Sequence, residues 1–298
     1  MSFANDIKIE ISELQIKKNC CKKAFLLGLL INSRRYDSKN IEVEYLLESV
    51  ADKVSELLRS LYSLQTEKSI VNKPGKKYYR ISFSSKSISN IFESLVTDPD
   101  STVHDVANFN CSACEQAFLR GGFVASAKLT APQKGYQLEF SLSAENVSLA
   151  SKLYRFLSVL GFVPKITNRK NSIGLYFKNN ATISDILYFV GAVGSSFEYS
   201  NVVIEKEIRN NENRATNCVA TNIYKSVSAA QRQIEAIEVL VASHRINTLP
   251  EEIRQTAQIR LDNPEATLTE LALLHTPPIS KSGLNHRLQK LCDEAELV

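Results

Sequence analysis

Two segments of this 298-residue chain are near copies of each other. Lys23-Ala24-Phe25-Leu26-Leu27-Gly28-Leu29-Leu30-Ile31-Asn32-Ser33 recurs as Gln116-Ala117-Phe118-Leu119-Arg120-Gly121-Gly122-Phe123-Val124-Ala125-Ser126, its glycines 93 positions apart. A glycine inside an apolar helical run costs about 1 kcal/mol relative to alanine, so its appearance at both places needs a compensating contact. Close approach of two backbones supplies one, because glycine has no side chain to hold them apart. The pair predicts two helices pressed together at Gly28 and Gly121, at the junction of two similar halves.

The duplication runs on downstream. Ser55, Leu57, Arg59, Leu61 and Leu64 align with Ser151, Leu153, Arg155, Leu157 and Leu160 at an offset of 96, and Ile88, Ser89 and Ile91 with Ile183, Ser184 and Ile186 at 95. An offset that drifts this way means small loop insertions between repeated elements, not a short-period solenoid. Periodicity fills in the elements. In the first half, Phe3, Ile7, Ile11 and Leu14 recur at helical spacing, with Ser2 as a cap. The glycine helix follows over about 20–33, then a strand with Ile41, Val43 and Tyr45 inward and Glu42 and Glu44 outward. A helix over 50–64, a hairpin about Pro74-Gly75 and a helix over 87–96 complete it. The second half repeats the order: helix 111–126, a strand with Leu138 and Phe140 inward, helix 147–160, strands 162–167 and 173–178, helix 183–193. Each half is helix, strand, helix, two strands, helix, with helices covering one face of a small antiparallel sheet.

Residues 209–217 are polar and almost free of large apolar groups, and read as a linker. Helical signals return beyond it. Val227, Ala230, Ile234, Ile237 and Val241 form one stripe; Ile253, Ala257 and Leu261 another; Thr267 and Glu270 a capping box before Leu268, Leu271 and Leu274. Ser280 caps a last helix with Leu284, Leu288 and Leu291 inward. Short helices ending in a turn and a final helix have helix-turn-helix proportions, in which the last helix lies in the DNA major groove. At about 100° per residue, Ser282, His286 and Gln289 fall opposite the leucines, flanked by Asn285 and Lys290, with Ser280 at the cap and Lys281 and Arg287 nearer the edges. The first set can hydrogen-bond base edges, and the lysines and arginine neutralise phosphates. The alternative is an ordinary solvated helix face.

The net charge of +4 hides an asymmetry: residues 226–298 hold seven Lys+Arg against ten Asp+Glu, leaving a net +7 on the rest. That excess is compatible with nucleic acid, and solubility alone also accounts for it. No apolar stretch approaches the roughly 20 residues that span a bilayer, and residues near Asn5-Asp6 lack an apolar export core. The expectation is a cytoplasmic protein with six reduced cysteines.

The glycine helices resemble the paired helices of LAGLIDADG homing endonucleases, and the element order is similar to their αββαββ-type repeat. Joined to a C-terminal helix-turn-helix, the chain resembles the WhiA (DUF199) family along its whole length. The stretches that carry this most specifically are Met1-Ser2-Phe3-Ala4, Arg120-Gly121-Gly122-Phe123, Arg209-Asn210, Asn213-Arg214, Asn217-Cys218 and Ile279-Ser280-Lys281-Ser282-Gly283-Leu284-Asn285-His286-Arg287-Leu288. The expected fold class is α+β: two tandem LAGLIDADG-type αβαββα repeats (1–105 and 106–209), a linker (210–225) and an all-α helix-turn-helix domain (226–298). The resemblance implies a DNA-binding regulator tied to cell division and chromosome segregation, and to sporulation in some relatives. Its expected partner is double-stranded DNA in the nucleoid, with another regulator or RNA polymerase as protein partner, and with no membrane and no small-molecule substrate.

A nuclease of that fold needs one acidic residue from each glycine helix to hold divalent metal at the scissile phosphates. Aligning the motif on the glycines puts Ser33 and Ser126 at those positions, with Ile31 and Val124 at the other site that is often acidic. Serine brings no charge, so the expectation is no enzyme, no catalytic residue and no cofactor. Metal-dependent cleavage and a protein-interaction adaptor are the competing functions. Glu42, Glu44 and Glu139 on the open sheet faces would repel phosphates unless Arg80, Arg169 or Lys170 offset them.

Cys20-Cys21 and Cys111-x-x-Cys114 each begin a glycine helix and could together make a four-sulfur zinc site. Adjacent helical cysteines point about 100° apart, which favours small buried thiols and no metal. His104 and His244 are isolated in sequence and read as solvated or structural; Arg34-Arg35 and Lys76-Lys77 read as solvated ends.

Overall fold

The computed structural model describes residues 3–35, 39–97 and 101–297. The cap assigned to Ser2 lies outside them, as do the side chains of Arg34 and Arg35. The chain divides into two units, Met1–Glu207 and Ile208–Val298.

In the first unit, α1 (Phe3–Glu13) precedes α2 (Asn19–Leu29), which ends in a single 3₁₀ turn, Leu30–Asn32. Then come β1 (Arg34–Arg35), β2 (Asn40–Tyr45), α3 (Glu48–Tyr62), β3 (Glu67–Lys73), β4 (Lys76–Ser84), α4 (Lys86–Thr97) and the short α5 (Val103–Ala107). The second half gives α6 (Ala113–Ser126), β5 (Ala127–Leu129), β6 (Leu138–Ser143), α7 (Val147–Val159), β7 (Lys165–Arg169), β8 (Ser172–Phe177) and α8 (Asn180–Phe189). The two sheets have the same antiparallel order, β1-β2-β4-β3 and β5-β6-β8-β7. Val43 lies opposite Ile81 in one, and Phe140 opposite Leu175 in the other, all four buried against the helices. The mixed α+β class and the tandem repeat follow directly. Each half also holds one strand that the periodicity omitted, β1 and β5. Two or three residues are too few to show alternation, and only their pairing with β2 and β6 defines them.

The helices α2 and α6 touch at their glycines. A Cβ on Gly28 would stand 2.1 Å from the Phe118 carbonyl oxygen, and one on Gly121 2.2 Å from that of Phe25. Both are backbone atoms that cannot swing aside, so each position excludes any side chain. Gly122, by contrast, would meet nothing within 4 Å.

The stretch read as a linker is helical. The helix α9 (Val193–Ala242) runs unbroken for 50 residues through it. Polarity signals exposure, and residues 207–227 are indeed all exposed. Proline and glycine are the strongest helix breakers, and neither occurs between Gly194 and Pro250.

Within the second unit, α9 is followed by a 3₁₀ turn (Arg245–Thr248), α10 (Glu251–Asp262), α11 (Leu268–Leu273) and α12 (Lys281–Ala295). Their core gathers Ile237, Leu240, Ile253, Ala257, Leu271, Ala272, Leu284, Leu288 and Leu291. The stripe anticipated on α9 is therefore displaced: Val227 and Val241 are exposed, and Leu240 is buried in their place. Leu274 is also exposed, while the buried His275 caps the end of α11. Its Nδ1 lies 2.9 Å from the Leu271 carbonyl and its Nε2 3.0 Å from the Thr256 hydroxyl. Among the described residues no helix is long and apolar enough to cross a membrane.

Candidate nucleic-acid interface

The local sequence explains why α12 starts where it does. The Ser280 hydroxyl accepts the Gly283 amide at 3.1 Å, satisfying one of the orphan donors of the first turn. Upstream, Thr267 and Glu270 form a reciprocal capping box at α11. With Leu284, Leu288 and Leu291 buried, the other side of α12 is open: Lys281, Ser282, Asn285, His286 and Gln289 are exposed, as is Ser280, and Arg287 and Lys290 are half-buried. Two of these eight already have acidic partners. The Arg287 guanidinium donates to Glu252 at 2.7 Å, and the Gln289 amide to Asp293 at 2.8 Å. The Ser280 and Ser282 hydroxyls are 3.2 Å apart, and the exposed groups of the first half, Lys281, Asn285 and His286 among them, lie away from the acidic far end, where Asp293, Glu294 and Glu296 lie.

The second candidate lies where α2 and α6 end, under the glycine contact. Ser126 is buried, and its hydroxyl donates back to the Gly122 carbonyl at 2.7 Å. Ser33 is half-buried, its amide bonded to the Leu30 carbonyl at 2.8 Å. The Asn32 amide nitrogen crosses to the Ser141 carbonyl at 3.1 Å, leaving its buried carbonyl oxygen without a partner among the described residues. Lys8, Asn32, Glu44, Ser126 and Lys128 line one cleft there. Burial, with the charge of Lys128 added, pulls the Lys8 ammonium down to about 8. Sequence patterning gave no sign of Lys8 or Lys128, because they come together only through α1 and β5.

The sheet carboxylates are neutralised in place. Arg80 reaches Glu44 at 2.7 Å and Glu42 at 3.2 Å, and Lys73 also binds Glu44. Burial pushes the Glu44 carboxyl up, but Lys73 and Arg80 together hold it below its ordinary range. Glu139 departs from the expectation of an exposed face: it is 4% exposed, buried under a two-pronged Arg169 contact at 2.5 and 2.8 Å. Arg169 lowers its pKa against the opposing effect of burial. Gly174, opposite Ser141, makes room, since a Cβ there would fall 2.9 Å from the Glu139 carboxyl. His104 is structural, as its sequence reading allowed. Its Nε2 meets Glu115 at 2.6 Å, and its ring packs against Phe109 and Phe156.

Family models match both parts of this architecture: the WhiA LAGLIDADG-like domain over residues 115–209 and the WhiA C-terminal HTH domain over 213–295. The Probable cell division protein WhiA of Ruminiclostridium cellulolyticum is 30% identical, over 100% of this chain and 98% of that protein. The chain belongs to the WhiA family. The WhiA relative from Desulforamulus reducens is 32% identical over 98% of this chain and 94% of its own length. In fold, the chain is similar to full-length DUF199/WhiA from Thermatoga maritima, with a TM-score of 0.59 and 24% identity over 99% and 98% of the two chains. The isolated N-terminal LAGLIDADG domain of DUF199/WhiA aligns at a TM-score of 0.50, covering 64% of this chain and 92% of that one. As a WhiA protein, the chain thus joins a LAGLIDADG-like domain to an HTH domain, and α9 passes through the boundary between the two matched spans.

Proposed function

We propose that this WhiA protein is a non-catalytic DNA-binding regulator acting in cell division, and that α12 reads its operator. The observation that carries the reading is the two-sidedness of α12: Leu284, Leu288 and Leu291 are buried, and Lys281, Ser282, Asn285, His286 and Gln289 are left facing outward on a capped helix. That is the chemistry a major-groove helix needs, with donors and acceptors for base edges near its start and cations beside them. Names of the full-length relatives place them in cell division, and regulation of division or segregation genes is the matching role here.

A salt-dependent gel shift on a candidate promoter tests the reader. Gln289→Ala is expected to weaken specific binding by about 1–3 kcal/mol, and Lys290→Ala to weaken it across sequences and flatten the salt dependence. Undiminished binding by both variants overturns the assignment of α12.

Lack of catalysis is the second part of the proposal. Ser126 spends its hydroxyl on the Gly122 carbonyl in a cleft that also holds Lys8 and Lys128, and Ser33 brings no charge to the neighbouring cleft, which Lys73, Lys128, Glu93 and Glu145 line. Supercoiled DNA incubated with the full chain and Mg²⁺ or Mn²⁺ should remain un-nicked; cleavage that is lost with chelator refutes it.

A further inference from the structure

Four of the six cysteines serve neither the reader helix nor the sheets, and the fold brings them to one point. Cys20 and Cys21 lie in the first turn of α2; Cys111 and Cys114 bracket the start of α6. The sulfurs of Cys21 and Cys111 are 3.5 Å apart, Cys111 and Cys114 3.6 Å, Cys20 and Cys111 3.8 Å, Cys21 and Cys114 3.9 Å. All four sulfurs lie within 4.8 Å of one another.

These separations are far from a disulfide, whose sulfurs bond at about 2.05 Å. They fit another object. Around a tetrahedral zinc ion with bonds of about 2.3 Å, ligand sulfurs stand about 3.8 Å apart. An iron–sulfur cluster needs its ligands spread around a core of several metals and sulfides, and this set is too compact to enclose one. The angular objection to Cys20 and Cys21 also falls away: their side chains diverge along the helix, yet the Cys111 sulfur sits within 3.8 Å of both. We propose that Cys20, Cys21, Cys111 and Cys114 bind one zinc ion as a closed four-thiolate structural site that fastens the N-terminal ends of the two glycine helices.

The surroundings suit a structural ion. Cys21 and Cys114 are buried and Cys20 and Cys111 half-buried, so the four thiolates complete a tetrahedron with no position left for substrate. Cys20 and Cys21 begin α2, and Cys111 and Cys114 lie at the start of α6, where helix N-termini favour anionic sulfur; burial opposes this at Cys21 and Cys114 until a cation binds. The Ala113 amide donates to the Cys111 sulfur, the kind of supporting contact that fixes a ligand's orientation. Cys21 and Cys111 are 90 residues apart in sequence, so the ion closes a long loop and joins the first repeat to the second.

The test uses the full chain, purified without a histidine tag under reducing conditions, with its zinc content measured by elemental mass spectrometry. One zinc per chain is expected, and replacement by Co²⁺ should give the visible bands of tetrahedral thiolate coordination. Zinc should shield four thiols from a maleimide, leaving at most Cys218 and Cys292 reactive. Cys20→Ser and Cys111→Ser should lose the metal, whereas Cys218→Ser should keep it. If the serine variants fail to fold, the Co²⁺ spectrum and thiol shielding of the unaltered chain still decide. A reduced, folded chain that takes up neither ion overturns the proposal, as does a native disulfide within the set of four.

Discussion

At one end of the α2–α6 pair, four cysteine sulfurs lie within 4.8 Å of each other. At the other end, where a nuclease of this fold would converge its carboxylates, Ser126 turns its hydroxyl back on its own helix, and Lys8 and Lys128 line the cleft. One pair of helices therefore gathers sulfurs at its start, while its finish opens on a cleft lined by Lys8, Lys128 and Glu44. The glycine contact in the middle is common to both and depends on neither. The close backbone packing at Gly28 and Gly121 lies between two ends of very different chemistry.

The strongest challenge to that comparison is to pry the middle apart. Gly28→Ala forces a methyl to within 2.1 Å of the Phe118 carbonyl oxygen, and should cost about 3 kcal/mol or more, because only backbone movement relieves it. Gly122→Ala is the matched control. It meets nothing within 4 Å and should stabilise by up to about 1 kcal/mol through helix propensity. Urea unfolding of the two variants reads both signs, and equal effects would remove the special role of the Gly28 contact.

A smaller effect sharpens the C-terminal end. Ser126→Asp replaces a satisfied, 5% exposed hydroxyl with a carboxylate that cannot donate to the Gly122 carbonyl. A loss of about 1–3 kcal/mol is expected, without any metal-dependent nicking. Nicking by this variant, or by its combination with Ser33→Asp, would show that the site is one or two substitutions from catalysis and not remodelled.

The smallest effect is a titration. Lys8, lowered to about 8, is held below its unfolded value by burial and by Lys128. Between pH 8 and the ordinary lysine range near 10.4, the unfolded chain binds the extra proton, so stability should rise with pH across that window. Lys128→Gln removes the second cause only, and should move the Lys8 titration upward by a fraction of a unit, followed by pH-dependent amine labelling. An unmoved titration would assign the shift to burial alone.

Much of the fold was legible in the residues. Ile41, Val43 and Tyr45 alternate with Glu42 and Glu44, and the structure buries the first set as β2 requires. The capping groups Thr267 and Ser280 announce α11 and α12, because a cap is a local hydrogen bond between near neighbours in sequence. Where the reading failed, local signals were ambiguous or too short. The polar run after Arg209 looked like a linker because polarity and irregularity usually travel together; α9 is polar, exposed and regular. On the HTH side, the eight residues assigned to the reader all lie on α12 or its cap, but nothing in the pattern told that Arg287 would bind Glu252 or Gln289 bind Asp293.

The sequence by itself determined the helix contact and the neutral side chains at Ser33 and Ser126. A missing side chain at Gly28 and Gly121, or a missing charge at Ser33 and Ser126, is a property of single residues and survives any arrangement around them. The glycine pairing already set the two cysteine pairs side by side, but only the tertiary structure decided that Glu139 is buried under Arg169 and that Lys8 meets Lys128. Those outcomes depend on which distant segments the duplicated fold sets side by side, and neither the spacing nor the periodicity of a chain records that.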